Sequence, residues 1–238
     1  MFAAVSSQAA DPDISFNPAI TPVDFQKFSH VLSQALYADP VGPARADGVL
    51  HFDAGIAATV VNVDSGAGYW KNAVGANSTF TTRSYIGVPR LVVTKGFGSG
   101  TIFGSYAKIT DSGIKTYGGG LDIPILRGGI ATPEIAVRGV YSRVTGSSVY
   151  RLKTYGAEAF ISKGFGPLTP YASIGRMRSN ADGDIPATSA TKAFTISDRS
   201  DFNRYSVGVR ISLLVPKITL QVTQGVVRSY AAKVSIGF

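Results

Sequence analysis

His51 and Asp53 stand two residues apart, so an extended chain directs both side chains to one face. A carboxylate beside an imidazole can orient it as a general base, which then needs a hydroxyl or a water within hydrogen-bond reach. The sequence points to no such nucleophile. His30, the other of the two histidines, falls on a helical pattern and is expected to be solvated. The absence of cysteine removes thiol chemistry and disulfides, and fits a secreted or envelope protein. No group of His, Asp and Glu has metal-ligand spacing. The stretches Thr94-Lys95-Gly96-Phe97-Gly98 and Ser162-Lys163-Gly164-Phe165-Gly166 lack the Lys-Ser/Thr pair and following helix of a phosphate-binding loop. The expectation is a protein that is not an enzyme, with no catalytic residue, no cofactor and no metal.

More informative are single charges set into alternating apolar segments: Asp53, Arg90, Asp122, Arg138, Glu158, Arg176, Arg210 and Lys233. Each comes from a different segment, and five are basic against three acidic. Their positioning elements show in the alternation itself. From Tyr85, Tyr117, Tyr155, Tyr205 and Tyr230, every second residue is apolar or small, and Arg90, Asp122, Glu158, Arg210 and Lys233 take the opposite parity. Period-two alternation is the mark of a strand with two unlike faces. Charges gathered opposite a tyrosine-headed apolar face suit a barrel that is apolar outside and polar within. Tyrosine at one end of each such strand is what an aromatic girdle at a membrane interface needs, with the ring in lipid and the hydroxyl wet.

No window approaches the ~18 consecutive apolar residues of a membrane helix, but a barrel needs only alternate residues apolar. The net charge of +8 is scattered along the strands without a basic cluster or an aromatic RNA-binding motif. Nucleic acid is therefore not expected as a partner; a basic lumen or attraction to lipid headgroups is.

The last segment, Tyr230 to Phe238, carries Tyr230, Ala232, Val234, Ile236 and Phe238 on one face. With its terminal Phe it resembles the closing strand of bacterial outer-membrane β-barrels, and residues 48–238 resemble small uncharacterised members of that group. The resemblance implies recognition of Tyr230, Val234, Ile236 and Phe238 by the barrel-assembly machinery, and outer-membrane lipid as a partner. Among such barrels, the omptin-like proteases place their acids and His near the outer rim, whereas His51 here begins strand one at the lower end.

The expected fold is all-β: an antiparallel transmembrane β-barrel of about ten strands, with a short N-terminal amphipathic helix. Residues 1–20 read as a flexible N-terminus or signal-peptide remnant. Ser7-Gln8-Ala9 has the small-x-small form of a cleavage site, and a longer leader is expected upstream. Residues 21–45 read as the helix and a Pro-rich linker. Thr21 is its N-cap, Pro22 its first residue, Phe25, Phe28, Leu32 and Leu36 its apolar stripe, and Asp39-Pro40 part of its stop. The helix could plug the lumen, lie on the membrane surface or cap the lower rim. A charged lumen would reject a Phe/Leu stripe, which favours the surface or the rim. Residues 48–238 form the barrel, with long polar loops at 63–83 and 179–201 on the girdle side and short Gly/Pro turns on the other. The expected function is a narrow channel for passive diffusion of small polar or anionic solutes. The alternative is a closed structural or adhesive barrel acting through its extracellular loops.

Overall fold

The computed structural model describes residues 13–45, 48–75, 78, 82–129, 131–189, 192–213 and 215–237. Among them, ten strands form one closed antiparallel barrel. They are β1 (Phe52–Asn62), β2 (Tyr85–Gly96), β3 (Thr101–Lys108), β4 (Lys115–Leu126), β5 (Glu134–Thr145), β6 (Tyr150–Ser162), β7 (Leu168–Ile185), β8 (Phe194–Ser212), β9 (Pro216–Gln224) and β10 (Arg228–Gly237). Each strand pairs with its neighbours in the chain, and β1 closes on β10 with Ala54 opposite Ile236 and Val60 opposite Tyr230. Closure leaves no edge, which a sheet in lipid requires because no water is there to satisfy one.

Burial along the strands is inverted relative to a soluble barrel. Ile56, Leu91, Ile123, Ile174, Val207 and Val234 point outward at 48–65% exposure, while Arg90, Asp122, Arg138 and Lys233 point inward at 2–4%. In water that arrangement would expose a continuous apolar belt and bury charge; in a bilayer each face meets its own solvent. Tyr85, Tyr117, Tyr155, Tyr205 and Tyr230 are all exposed on the outward face. Tyr106 and Tyr141 join them, their rings 5.1 Å from Tyr117 and 5.2 Å from Tyr155 respectively. The chain is a transmembrane β-barrel of the outer-membrane type.

The two barrel ends differ. The turn end carries the short connections 97–100 and 163–167; the loop end carries the connection 63–84 and a long hairpin. That hairpin corrects the expected loop at 179–201. β7 and β8 continue past the tyrosine girdle, 18 and 19 residues long, in register from Leu168–Ile211 to Ile185–Phe194. Above the membrane a strand no longer needs an apolar outer face, and cross-strand pairs hold this ladder instead: Arg199–Asp182 at 2.8 Å and Arg178–Asp201 at 3.0 Å. The 63–84 connection also carries a short helix α2 (Gly68–Lys71) that buries Trp70. Its member Asn77, the terminal Phe238 and residues 1–12 of the segment 1–20 read as a flexible N-terminus or signal-peptide remnant lie outside the described residues, while Ile14, Phe16 and Ile20 of that segment are buried.

The helix α1 (Pro22–Leu36) lies inside the barrel, not on its surface or rim. Thr21 caps it by accepting from the Asp24 amide at 3.1 Å, and Pro22 occupies its first turn. Phe25, Phe28, Val31, Leu32, Ala35 and Leu36 are at most 3% exposed. They pack on inward-facing Ile86, Val88, Val144, Tyr150, Leu152 and Ala181. Expectation failed here because it took the whole lumen to be charged. The lumen has two halves: towards the loop end its lining is mainly apolar and forms a core of soluble-protein type, with Asp198 as a buried acid beside it, and towards the turn end most of the inward charges gather.

Candidate functional site: the plugged lumen

The chain crosses the barrel from end to end before it joins the wall. At the loop end Ile14 bridges Val74, and the Ser15 amide donates to the Ala73 carbonyl at 3.1 Å. Helix α1 descends through the apolar half. Residues 37–44 then continue through the charged half, nearly all of them buried, to the turn end, where Thr101 Oγ1 donates to the Arg45 carbonyl at 2.8 Å. Glycines on the wall make room for this segment. A Cβ at Gly156 would strike the Tyr37 ring, one at Gly118 would strike Ala38, and one at Gly183 would strike Phe25 and Phe16.

Asp39 of the plug is the focus of the charged half. Its Oδ2 accepts from Arg204 Nη2 at 2.9 Å and from Gln221 Nε2 at 2.7 Å, and its Oδ1 from the Val41 amide at 2.8 Å. Arg204 also faces Glu158 at 3.4 Å and lies over the Tyr37 ring at 4.3 Å. Arg138 binds both oxygens of Asp122, Nε at 2.7 Å and Nη2 at 2.8 Å, while its Nη1 donates to the Gly42 carbonyl at 3.0 Å. Lys233 donates to the Pro40 carbonyl at 2.8 Å. Buried charges in such a site need partners, and here plug carbonyls and one plug carboxylate supply much of what the wall lacks. Val41 is held at φ 51, a left-handed conformation uncommon for a β-branched residue, which marks the turn between Pro40 and Pro43 as imposed by these contacts.

Seven of the eight charges read from the sequence as lumen-lining do face inward: Asp53, Arg90, Asp122, Arg138, Glu158, Arg210 and Lys233. Arg176 does not. Its side chain is 69% exposed and pairs with Asp201 at 3.4 Å, because Tyr171 and Met177 take the inward parity of β7. Sequence reading missed two residues. Arg204, one position before Tyr205, has the inward parity but preceded the expected start of its strand. Asp39 read only as part of a helix stop, although the inward glycines 118 and 156 were a signal that something passes close to the wall. Arg90 keeps Nε and Nη1 without a hydrogen-bond partner among the described residues, beside a cavity of about 10 Å³ that Asp39 and Arg204 also line. A second cavity beside the plug measures about 20 Å³. Spaces of that size hold a water, not a solute path.

His30 is not solvated as expected. It is half-buried on α1, with Nε2 3.4 Å from Asp198 Oδ2 and its ring 5.3 Å from that of Phe202. Burial lowers its pKa below the ordinary 6.5, against the raising effect of Asp198. His51 and Asp53 sit at the turn end, where Asp53 accepts from Lys217 at 3.0 Å and Ser235 at 3.2 Å. Both bonds end on Oδ2.

No protein-family model and no curated protein matches the sequence. Among solved structures the chain is similar to Neisserial surface protein A: 13% identity over 79% of this chain and 97% of that one, TM-score 0.37. It is similar also to the KdgM porin, at 8% identity over 78% and 99% of the two chains with TM-score 0.39. A third is the outer membrane protein Omp33 of Acinetobacter baumannii, at 6% identity over 80% and 100% with TM-score 0.33. The superpositions are loose, and the membrane character of this chain rests on its own closed ladder, outward apolar belt and tyrosine girdle.

Proposed function

We propose that this protein is a plugged outer-membrane barrel that works through its loop end, where the β7–β8 hairpin, helix α2 and the N-terminal segment meet. One observation carries the reading. Residues 22–44 fill the lumen, and Arg204, Arg138 and Lys233 are bonded to that segment. A passive-diffusion path needs those groups free and water-lined. The closing strand β10, with Tyr230, Val234 and Ile236 outward, would present the surface that barrel-assembly machinery recognises.

A gated channel is the second reading, favoured by the plug being held without covalent attachment along its length. Withdrawal of the plug would bare Arg90, Arg138, Arg204, Arg210 and Lys233 against Asp53, Asp122 and Glu158, a lining that prefers anions. Single-channel recording in planar bilayers separates the two. Silence from the full chain and stable anion-preferring steps after deletion of residues 1–45 would make the segment a plug over a conductive wall. Stable steps from the full chain would overturn the plugged reading.

A further inference from the structure

The outward face carries a basic belt immediately above the tyrosine girdle, built twice by the same arrangement. Tyr106 and Tyr117 are register partners, and two residues nearer the loop end Lys108 pairs with Lys115. Tyr141 and Tyr155 are register partners, and two residues nearer the loop end Arg143 pairs with Lys153. Steps of two keep each basic pair on the lipid-facing side of its tyrosine pair. Register joins the two units, since Tyr117 lies opposite Arg143. Lys108, Arg143 and Lys153 are exposed and Lys115 half-exposed.

Like charges directly opposite on adjacent strands are destabilising, because their Cβ atoms stand only ~5 Å apart. Elsewhere on the loop end Arg151 pairs with Asp184, Arg178 with Asp201 and Arg199 with Asp182. The four belt residues have no acidic partner among the described residues, and no acid shares the outward face of β3–β6 at that depth. Two like-charge pairs left unrelieved, at the height where tyrosines mark the membrane interface, need an anion supplied from the membrane itself.

We propose that Lys108, Lys115, Arg143 and Lys153 form a binding site for the phosphate groups of a phosphorylated glycolipid in the outer leaflet. The inference rests on the loop end facing outward, and not on whether the lumen conducts. Two basic pairs on a rigid sheet present several donors in a fixed array, and each pair brackets one phosphate while the tyrosine rings below contact the acyl boundary. The like-charge repulsion that costs the free barrel stability becomes attraction to the lipid when it binds.

The test uses the full chain refolded in a neutral detergent, its barrel verified by heat-modifiable gel mobility. Native mass spectrometry would follow titration with bis-phosphorylated lipid A, dephosphorylated lipid A, phosphatidylglycerol and inorganic phosphate. Preference for the bis-phosphorylated glycolipid over its dephosphorylated form by at least about tenfold is expected, with two or more lysine or arginine contacts contributing. Lys115→Gln combined with Arg143→Gln should abolish the preference. Lys95→Gln combined with Lys163→Gln should leave it intact, since those lysines sit at the turn end and donate to the Val49 and Gly129 carbonyls. A second readout guards against a merely structural effect: the belt variant should melt higher than the parent in neutral detergent and lower than it in the glycolipid. Equal retention of the dephosphorylated lipid, or of phosphatidylglycerol, would overturn the assignment. So would a preference that survives the belt variant.

Discussion

Asp39 and Arg204 meet inside the barrel at 2.9 Å although 165 residues separate them in the chain. The contact joins the carboxylate of the plug to the wall, and it sits at the boundary between the apolar and charged halves of the lumen. Arg204 is 2% exposed, so its charge depends on the partners it has there: Asp39, Glu158 and the Tyr37 ring.

Removing that carboxylate should cost stability out of proportion to its size. Asp39→Ala leaves Arg204 with Glu158 alone, and breaking a buried ion pair by deleting one member costs about 3 kcal/mol or more. The double variant Asp39→Ala with Arg204→Met should lose less than the sum of the two single changes. Urea titration read by gel mobility checks both. Wild-type stability in Asp39→Ala would show that the plug is not held through this pair.

Filling the space reserved for the plug should expel it. Gly156→Val places a branched side chain where the Tyr37 ring lies, whereas Gly139→Val adds one to the outward face, where nothing stands within 4 Å. The first variant should expose the 37–45 segment to protease in detergent and produce current in bilayers. The second should match the parent in both assays.

The path of the plug predicts opposite sides for the two ends of the described chain. Asp13 lies at the loop end, its carboxylate accepting from the Gly113 amide at 2.8 Å, while Gly237 lies at the turn end opposite Asp53. An epitope inserted directly before Asp13 should therefore be labelled by antibody on intact cells. One appended after Phe238 should be labelled only after permeabilisation. Labelling of both, or of the C-terminal tag alone, on intact cells would refute the path.

Acid should weaken the loop end through His30. Burial holds its folded pKa below the ordinary 6.5, with Asp198 only partly opposing. A group with a lowered folded pKa binds fewer protons in the native state than in the unfolded one, so stability falls as pH drops through about 6.5 and levels off once the folded imidazole is itself charged. Melting curves at pH 8 and pH 5.5 should show a larger loss for the parent than for His30→Gln. Identical losses would place the acid sensitivity elsewhere.

The sequence alone determined which way nearly every strand faces. Period-two alternation assigns a side to each residue, and it placed Tyr85, Tyr117, Tyr155, Tyr205 and Tyr230 on the outward face without any knowledge of partners. Parity also placed seven of the eight charges inward, and failed at Arg176 because Tyr171 broke the rule that tyrosine faces lipid. Tertiary structure decided what parity cannot express, which is depth. An inward residue is apolar or charged according to its height in the barrel: Ile86, Val88, Val144 and Leu152 receive Phe28 and Leu32 near the loop end, and Arg138 and Lys233 receive residues 40–42 below. A pattern along one strand carries no information about which segment, distant in sequence, will occupy the space that ten strands enclose. Only the closed wall defines that space, and only its glycines and buried charges select the segment that fills it.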